Sequence, residues 1–239
     1  MTSITHSSMR ASSRGRVFAA GALALLASML FVTSATAASK SAELDELMSH
    51  DGLERIKVKG VDLAYRRPGA TFAPYNKVML DPVEVAFRKD WDPAKAGSRV
   101  KLSAEERENI RSGVSKIVFE EFVKALQKDN GYPVVQQAAP DVLRIRVSII
   151  NLYVNAPDTM TAGRSRTYTV SAGEMTLVAE FFDSETGEVL SRVIDRREAR
   201  NSGMMTLSNS VVNASEARAL ASSWARILRN RFDAAHGAN

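Results

Sequence analysis

The stretch Met175-Thr-Leu-Val-Ala-Glu-Phe-Phe-Asp-Ser-Glu-Thr-Gly-Glu-Val-Leu-Ser-Arg-Val-Ile-Asp-Arg-Arg197 decides the fold. Every second residue over Met175–Phe181 is apolar, and this period of two is typical of a strand with one buried face. Asp183–Gly187 is a polar segment whose Asp and Gly favour a turn. Val189–Arg197 then returns as a second strand, so the stretch predicts an antiparallel β-hairpin.

Two amphipathic helices are predicted, one before and one after the hairpin. Ser103 and Glu106 have the spacing of a capping box, which starts a helix that we expect over residues 104–128. The second helix is expected over residues 214–234, with Asn213 as its N-cap. In each helix, apolar residues recur at steps of three and four and form one face that can be buried. These faces comprise Ile110, Val114, Ile117, Val118, Phe122, Ala125 and Leu126 in the first helix, and Ala217, Leu220, Ala221, Trp224, Ile227, Leu228 and Phe232 in the second.

The second helix also carries a polar face. Arg218, Ser222, Arg226 and Arg229 are expected to be exposed on it. Arg231 falls instead on the apolar side, from which its long side chain can reach solvent.

Two further strands complete the predicted sheet. Residues 142–154 alternate between apolar and polar in their first half and become apolar on both faces beyond it. Residues 76–87 change the phase of their alternation at Asp81-Pro82, which predicts a β-bulge. Residues 88–101, 155–172 and 200–213 are expected to be loops. The order β-α-β-β-β-α predicts an α+β fold in which a mostly antiparallel four-stranded sheet carries two helices on one face.

The first 37 residues have the pattern of a secretory signal peptide. Three arginines and no acidic residue precede an apolar run over Val17–Val32, and Ala35-x-Ala37 matches the small-residue cleavage rule. The run is shorter than the roughly 20 apolar residues of a membrane span, which favours cleavage over an uncleaved inner-membrane anchor. We therefore expect a signal peptide over 1–37, a lead-in over 38–63, a single domain over 64–235 and a tail over 236–239. The protein is expected in the periplasm or at the inner surface of the outer membrane.

Composition argues against several classes of protein. The net charge is +5, but the leader holds three of the 32 basic residues and none of the 27 acidic ones. The mature chain is therefore nearly neutral, and we do not expect nucleic-acid binding. The sequence contains no cysteine, so we expect neither disulfides nor the lipid anchor that a cysteine at the cleavage site would carry.

Three stretches together resemble a known family. They are Tyr75–Phe87, Phe181–Arg197 and Trp224–Phe232. They resemble the bacterial domain-of-unknown-function family 3313, whose members are small proteins of the Gram-negative envelope and often lipoproteins. The resemblance covers about residues 52–235 and implies an envelope protein, although this chain lacks the lipidation cysteine. It brings no established activity and no catalytic residues.

Histidine chemistry is not expected. The histidines are His6 in the leader and His50 and His236 near opposite ends of the remaining chain. A zinc site or a histidine-based nucleophile relay needs several positioned ligands, so we predict no metal, no cofactor and no catalytic residue of this kind.

The carboxylates have structural interpretations. Glu120 and Glu121 point in different directions on the first helix and are expected to be solvated charges. Asp183, Glu185 and Glu188 cluster at the hairpin turn. Calcium binding is one interpretation, because hard cations favour several oxygens, but a simple turn explains the cluster with fewer ligands.

Two features of the hairpin and last helix concern packing. Trp224 is expected to be a core residue whose indole N–H is paired locally. The charged residues of the hairpin alternate in sign, which predicts cross-strand ion pairs on an exposed face or, alternatively, a polar binding face. These residues are Glu174, Arg192, Asp195, Arg196 and Arg197.

The candidate partner-binding residues lie in irregular segments that combine guanidinium groups with aromatic rings, as binding surfaces often do. They are Arg66, Arg67, Tyr75, Trp91, Arg164, Arg166 and Tyr168. We expect a non-enzymatic binding or assembly module whose partner is another envelope protein or an anionic envelope polymer. The competing hypothesis is a hydrolase that uses carboxylates alone, which requires two acids in one pocket at about 5–9 Å.

Overall fold

The structure is a computed structural model that describes residues 51–92, 102–154, 167–169, 173–198, 206–208 and 210–237. In chain order its elements are β1 (Glu54–Ile56), β2 (Leu63–Arg66), β3 (Lys77–Leu80), β4 (Glu84–Phe87), α1 (Ala104–Gln127), β5 (Val142–Val154), β6 (Thr167–Thr169), β7 (Gly173–Asp183), β8 (Val189–Glu198), β9 (Thr206–Ser208) and α2 (Ser210–Ala235). A short 3-10 helix, Lys128–Asn130, follows α1.

The main sheet of the described residues has seven strands. Its order is β1-β2-β8-β7-β5, and β3 and β4 both lie beside the free edge of β5. All neighbours are antiparallel except β3 and β4, which run parallel to β5. Strands β6 and β9 form a separate two-stranded antiparallel sheet.

The α+β class and the two helices are confirmed, but the count of four strands is wrong: among the described residues the main sheet has seven strands, with four antiparallel and two parallel pairings. Residues 76–87 do not form one bulged strand. The strand is interrupted between β3 and β4. β3 pairs with the first part of β5, from Val142 to Ile145, and β4 pairs with the later part, from Ser148 to Leu152. Both are parallel to β5 because the connection to it crosses over through α1, as parallel pairing requires.

The N-terminal strands lie in a region without a strand-like pattern. β1 has three residues and β2 has four, which is too short for a period of two to stand out. Part of the segment 38–63 that we assigned to a lead-in therefore belongs to the sheet. Strands β6 and β9 lie in segments that we expected to be loops.

Helix α1 begins as predicted and ends against α2. The Ser103 side chain accepts a hydrogen bond from the Glu106 backbone N–H at 3.1 Å, and the Glu106 carboxylate accepts one from the Ser103 N–H at 2.7 Å, which confirms the capping box. At the other end Arg229 of α2 donates to the carbonyl oxygens of Leu126 at 3.2 Å and Lys128 at 2.7 Å. The expectation that Arg229 is an exposed residue was wrong, because it caps the last carbonyls of α1.

Helix α2 begins four residues earlier than expected, at Ser210. Asn213 therefore lies inside the helix, and its prediction as the N-cap was wrong. Trp224 is buried as expected, but its indole N–H donates to Asp195 of β8 at 2.6 Å rather than to a neighbour in the sequence.

The core lies between the two helices and one face of the sheet. Leu143, Ile145, Val147 and Ile149 on β5 are fully buried on this face, as their alternation predicts. Glu121 also lies in this layer, with its carboxylate 3.4 Å from the Arg218 guanidinium. Its prediction as a solvated charge was wrong, because the contact between α1 and α2 covers it.

The opposite face of the sheet carries rows of ion pairs. Glu180 lies 2.9 Å from Arg192 on β8 and 3.7 Å from Arg146 on β5. Glu174 similarly bridges Arg88, at 2.7 Å, and Arg196, at 2.5 Å. Cross-strand pairing on this face is therefore confirmed.

Asp195 and Arg197 do not belong to those rows. The alternation along β8 places them on the helix-covered face, where the Arg197 guanidinium lies 2.6 Å from the Asp195 carboxylate. Asp195 is buried there beside Trp224.

Among the described residues, no helix combines the length and the apolarity that a bilayer-spanning helix needs.

Candidate functional site

A cleft of about 430 Å³ lies between α2 and the N-terminal side of the sheet. This volume is within the range of about 300–1,000 Å³ that small-molecule sites occupy. Its floor is formed by β2, β8 and β7, its far wall by the turn that joins β1 to β2, and its roof by the second half of α2. The cleft is therefore built by three elements that the sequence pattern predicts, β7, β8 and α2, together with β2 and the turn before it, which the pattern did not reveal.

Small side chains in the sheet create the space. The strand register places Ala64 of β2, Val193 of β8 and Ala179 of β7 in one row across the floor. Ser191 extends the floor in the next row, opposite Arg66 and Phe181. The centre of this row therefore carries only small and medium-sized side chains, which leave space beneath α2.

Large apolar residues form the rest of the wall. Trp224, Ile227 and Leu228 face the cleft from α2 at helical spacing, and Phe72 and Phe181 close one end. The rings of Phe72 and Phe181 meet edge to face with centroids 5.9 Å apart, which is a favourable aromatic geometry. The wall therefore suits an apolar ligand.

The hydrogen bond between Trp224 and Asp195 sets the position of the indole in this wall. Asp195 Oδ2 accepts from Trp224 Nε1 and from Arg197 Nε, each at 2.6 Å, and its Oδ1 accepts from the Asp62 N–H at 3.0 Å. A buried carboxylate with three donors is well satisfied. This network fixes α2 against β8 at one end of the cleft.

Three cationic side chains also line the cleft: Lys57 after β1, Arg66 at the end of β2, and Arg231 on α2. All three are exposed. No carboxylate and no histidine belongs to the lining that the structure describes. The lining thus contributes three positive charges, while Glu54 of β1, outside the lining, lies opposite Arg66 in the strand register.

The structure brings the predicted site residues into different places. Arg66 lines the cleft. The Arg67 guanidinium donates hydrogen bonds to the carbonyl oxygens of Val189 at 2.8 Å and Asp51 at 3.1 Å. It also forms an ion pair with the Glu188 carboxylate at 3.1 Å. It therefore ties the hairpin turn to the N-terminal strands.

The two aromatic candidates are structural as well. Trp91 is buried, stacks on Phe87 at 4.2 Å between centroids and donates to Val154 O at 3.0 Å. Tyr75 is buried and donates to the Asp183 carboxylate at 2.9 Å. Burial and this carboxylate raise the pKa of Tyr75 to about 12, so the phenol is neutral at physiological pH.

The remaining candidates cannot be placed. Arg164 and Arg166 lie outside the described residues, and of Tyr168 only its position in β6 is described. Whether this segment binds a partner stays a prediction.

The acidic hairpin turn has a structural explanation. Asp183 accepts from the Thr186 N–H at 2.8 Å, the Thr186 hydroxyl at 2.9 Å and the Glu185 N–H at 3.1 Å. The backbone N–H of Thr186 in particular holds the pKa of Asp183 below its ordinary value. Glu185 and Glu188 are exposed. Within the described part of the chain, no three acidic or histidine side chains are grouped as metal ligands.

Sequence reasoning missed the cleft because the short strand β2, which completes its floor, has no strand-like pattern, and because the small residues of the floor are brought together only by the strand register. One signal was available: Arg231 falls on the apolar side of α2, where a cation needs either solvent or an anion. The structure shows that this side of α2 borders the cleft at Arg231.

The sequence model of the family described as "Protein of unknown function (DUF3313)" matches residues 45–228. Comparison with curated proteins gives no significant match.

Two similar solved structures are the PelC dodecamer from Paraburkholderia phytofirmans and protein XCC0632 from Xanthomonas campestris. PelC is 10% identical, with 69% of this chain and 96% of that chain covered and a TM-score of 0.34. XCC0632 is 10% identical, with 76% and 94% covered and a TM-score of 0.40. At this similarity neither structure bears on function.

Proposed function

We propose that this chain, which belongs to the DUF3313 family of proteins of unknown function, is an exported, non-enzymatic binding module of the bacterial envelope. Its site is the cleft between α2 and the floor formed by β2, β8 and β7. The observation that carries the proposal is this cleft of about 430 Å³ with apolar walls and exposed cations along its lining. Export rests on the leader pattern of residues 1–37, which lie outside the described residues.

The geometry of the cleft favours binding over catalysis. General acid–base or nucleophilic chemistry needs a titratable group within hydrogen-bond reach of the reacting atoms. The one hydroxyl on the floor, that of Ser191, donates to Tyr65 O at 2.6 Å, and the described lining holds no histidine or carboxylate to activate it. The remaining titratable amine of the lining, that of Lys57, is exposed to solvent.

The carboxylate hydrolase is the second candidate, and its best residues are used elsewhere. Asp183 is bonded to its own turn and to Tyr75, and Glu185 and Glu188 face solvent. A hydrolase would need an acid in the cleft. We therefore retain the binding module as the proposed function, with an envelope protein or anionic polymer as a further predicted partner of the segment around Arg164 and Arg166.

Occlusion of the cleft tests its role. Val193→Phe places a ring between Ala64 and Ala179 on the floor, whereas Val178→Phe places the same ring on the opposite face of the adjacent strand. The full chain is expressed in a bacterial host, isolated under native conditions, and examined by native mass spectrometry for retained small molecules.

Wild type and Val178→Phe are expected to retain an apolar small molecule, and folded Val193→Phe is expected to lose it. Circular dichroism and urea unfolding verify that both variants fold. If folded wild-type protein retains nothing and takes up no apolar probe, the cleft is not a binding site and the proposal fails.

The location has a separate test. The intact mass of the protein from a periplasmic extract is expected to begin after Ala37. Recovery of the chain with residues 1–37 in the inner-membrane fraction would favour the uncleaved anchor, and recovery with them in the cytosol would remove the envelope from the proposal.

A further inference from the structure

We propose that the ligand of the cleft is a single anionic amphiphile, with its hydrocarbon chain against the apolar wall and its acidic head group beside Arg66 and Arg231. This inference rests on the proposed function and specifies the ligand class for the same site.

The apolar wall requires a hydrocarbon portion. Phe72, Trp224 and Ile227 line the cleft, and the small side chains of Ala64 and Ala179 leave its floor open. Burial of apolar surface against such a wall contributes about 25 cal/mol per Å². A purely ionic ligand would leave this wall exposed to water, so it uses only part of the site.

The cations of the cleft lack the partners that other arginines have. On the outer face of the sheet Arg192 and Arg196 each pair with a glutamate. By contrast, neither Lys57 nor Arg66 has a carboxylate partner among the described residues, and Arg231 has only the carbonyl oxygen of Lys59 at 3.5 Å.

Exposed Arg226 outside the cleft also has no carboxylate partner among the described residues, so it is the position of Arg66 and Arg231 beside the apolar wall that indicates the charge of the head group. A guanidinium group binds carboxylates and phosphates through charge-assisted hydrogen bonds. Arg66 and Arg231 are exposed while the apolar wall is recessed, which matches a ligand whose head remains at the surface. The described lining contains no acid that would repel such a head group.

The ligand's charge is tested with two probes of equal chain length, hexadecanoate and hexadecanol. Trp91→Phe leaves Trp224 as the remaining tryptophan, so its fluorescence reports on the cleft wall. In this background Arg66→Gln combined with Arg231→Gln removes two cations from the lining. Arg226→Gln removes an exposed arginine of α2 that does not line the cleft and serves as the matched control.

Hexadecanoate is expected to bind at least about tenfold more tightly than hexadecanol. The double glutamine variant should lose most of this preference while it still binds the alcohol, and Arg226→Gln should keep it. Equal binding of the two probes, or an unchanged preference in the double variant, overturns the inference and leaves the proposed function standing.

Failure of both probes to bind folded protein overturns the inference, and it contradicts the proposed function itself if that protein also retains no other ligand. Native mass spectrometry identifies the other occupants. A retained peptide, or a second copy of the chain that is displaced by neither probe, would also overturn the assignment of an amphiphile.

Discussion

The indole of Trp224 and the carboxylate of Asp195 form a bond that should contribute measurably to stability. Trp224 is 2% exposed and Asp195 is 4% exposed, so solvent cannot replace the bond. A hydrogen bond to a charged group contributes about 1.5–3 kcal/mol, against about 0.5–1.5 kcal/mol for a neutral one. Trp224→Phe removes the donor and leaves the buried carboxylate with fewer partners.

Trp91→Phe provides the matched control. Its indole N–H donates to the neutral carbonyl of Val154 at 3.0 Å, and its side chain is 6% exposed. Both substitutions delete the same atoms from a buried site, so the loss of packing is similar. We expect Trp224→Phe to lower the free energy of unfolding by about 1 kcal/mol more than Trp91→Phe does.

A double-mutant cycle isolates the pair. Trp224→Phe, Asp195→Ala and the combined variant are unfolded in urea and followed by circular dichroism, with ligand-free protein. Two groups in direct contact should show a coupling energy of about 1–2 kcal/mol. A coupling energy below about 0.5 kcal/mol, together with equal costs for the two tryptophan substitutions, would refute the account of how α2 is fixed to β8.

Three further predictions concern other parts of the molecule. Gly131→Ala should lower the free energy of unfolding by about 1–3 kcal/mol, because the added methyl carbon would lie 2.2 Å from the Arg229 guanidinium that caps α1. Gly113→Ala serves as its control, because a methyl group there meets nothing within 4 Å. It should raise the free energy of unfolding by about 0.5–1 kcal/mol in the same urea assay. The Tyr75 phenol should contribute stability that is complete below its ordinary pKa of 10.0 and is lost as the pH rises through its folded pKa of about 12. Tyr75→Phe should remove this part of the alkaline dependence of the free energy of unfolding. An alkaline profile that is the same in the variant would contradict the burial of the phenol. Burial alone would raise the pKa of Glu174, but hydrogen bonds from Arg196 and Arg88 lower it below the ordinary value of 4.5. The stability that the ionised carboxylate contributes is therefore present above pH 4.5 and disappears as the pH falls through the folded pKa. Glu174→Gln should reduce the loss of unfolding free energy at acid pH.

The parts of the fold that the sequence predicts are those with long periodic signals. β5 has 13 residues and matches its predicted bounds, because its alternating side chains are repeated often enough to identify the buried face. The capping box at Ser103 is also a local signal, since both of its hydrogen bonds form within one turn of the helix.

The parts that could not be predicted depend on residues far apart in the chain. Arg229 was expected to be exposed because its position on α2 is polar, but it caps carbonyls at the end of α1. The cleft likewise arises from the alignment of Ala64 with Val193 and Ala179. An alanine in one strand carries no local indication of which residues will lie beside it in the sheet.

The pairing of β2 with β8 has a consequence for the order in which the nascent chain folds. It joins Leu63 to Ile194 and Arg66 to Ser191, so the two paired strands are separated by more than 120 residues of the sequence. Closing so long a loop is slow because its entropic cost precedes the contacts that reward it. The β1–β2 pair can form early, but the other edge of β2 stays unpaired until β8 is available, so the cleft forms only after nearly the whole chain is present.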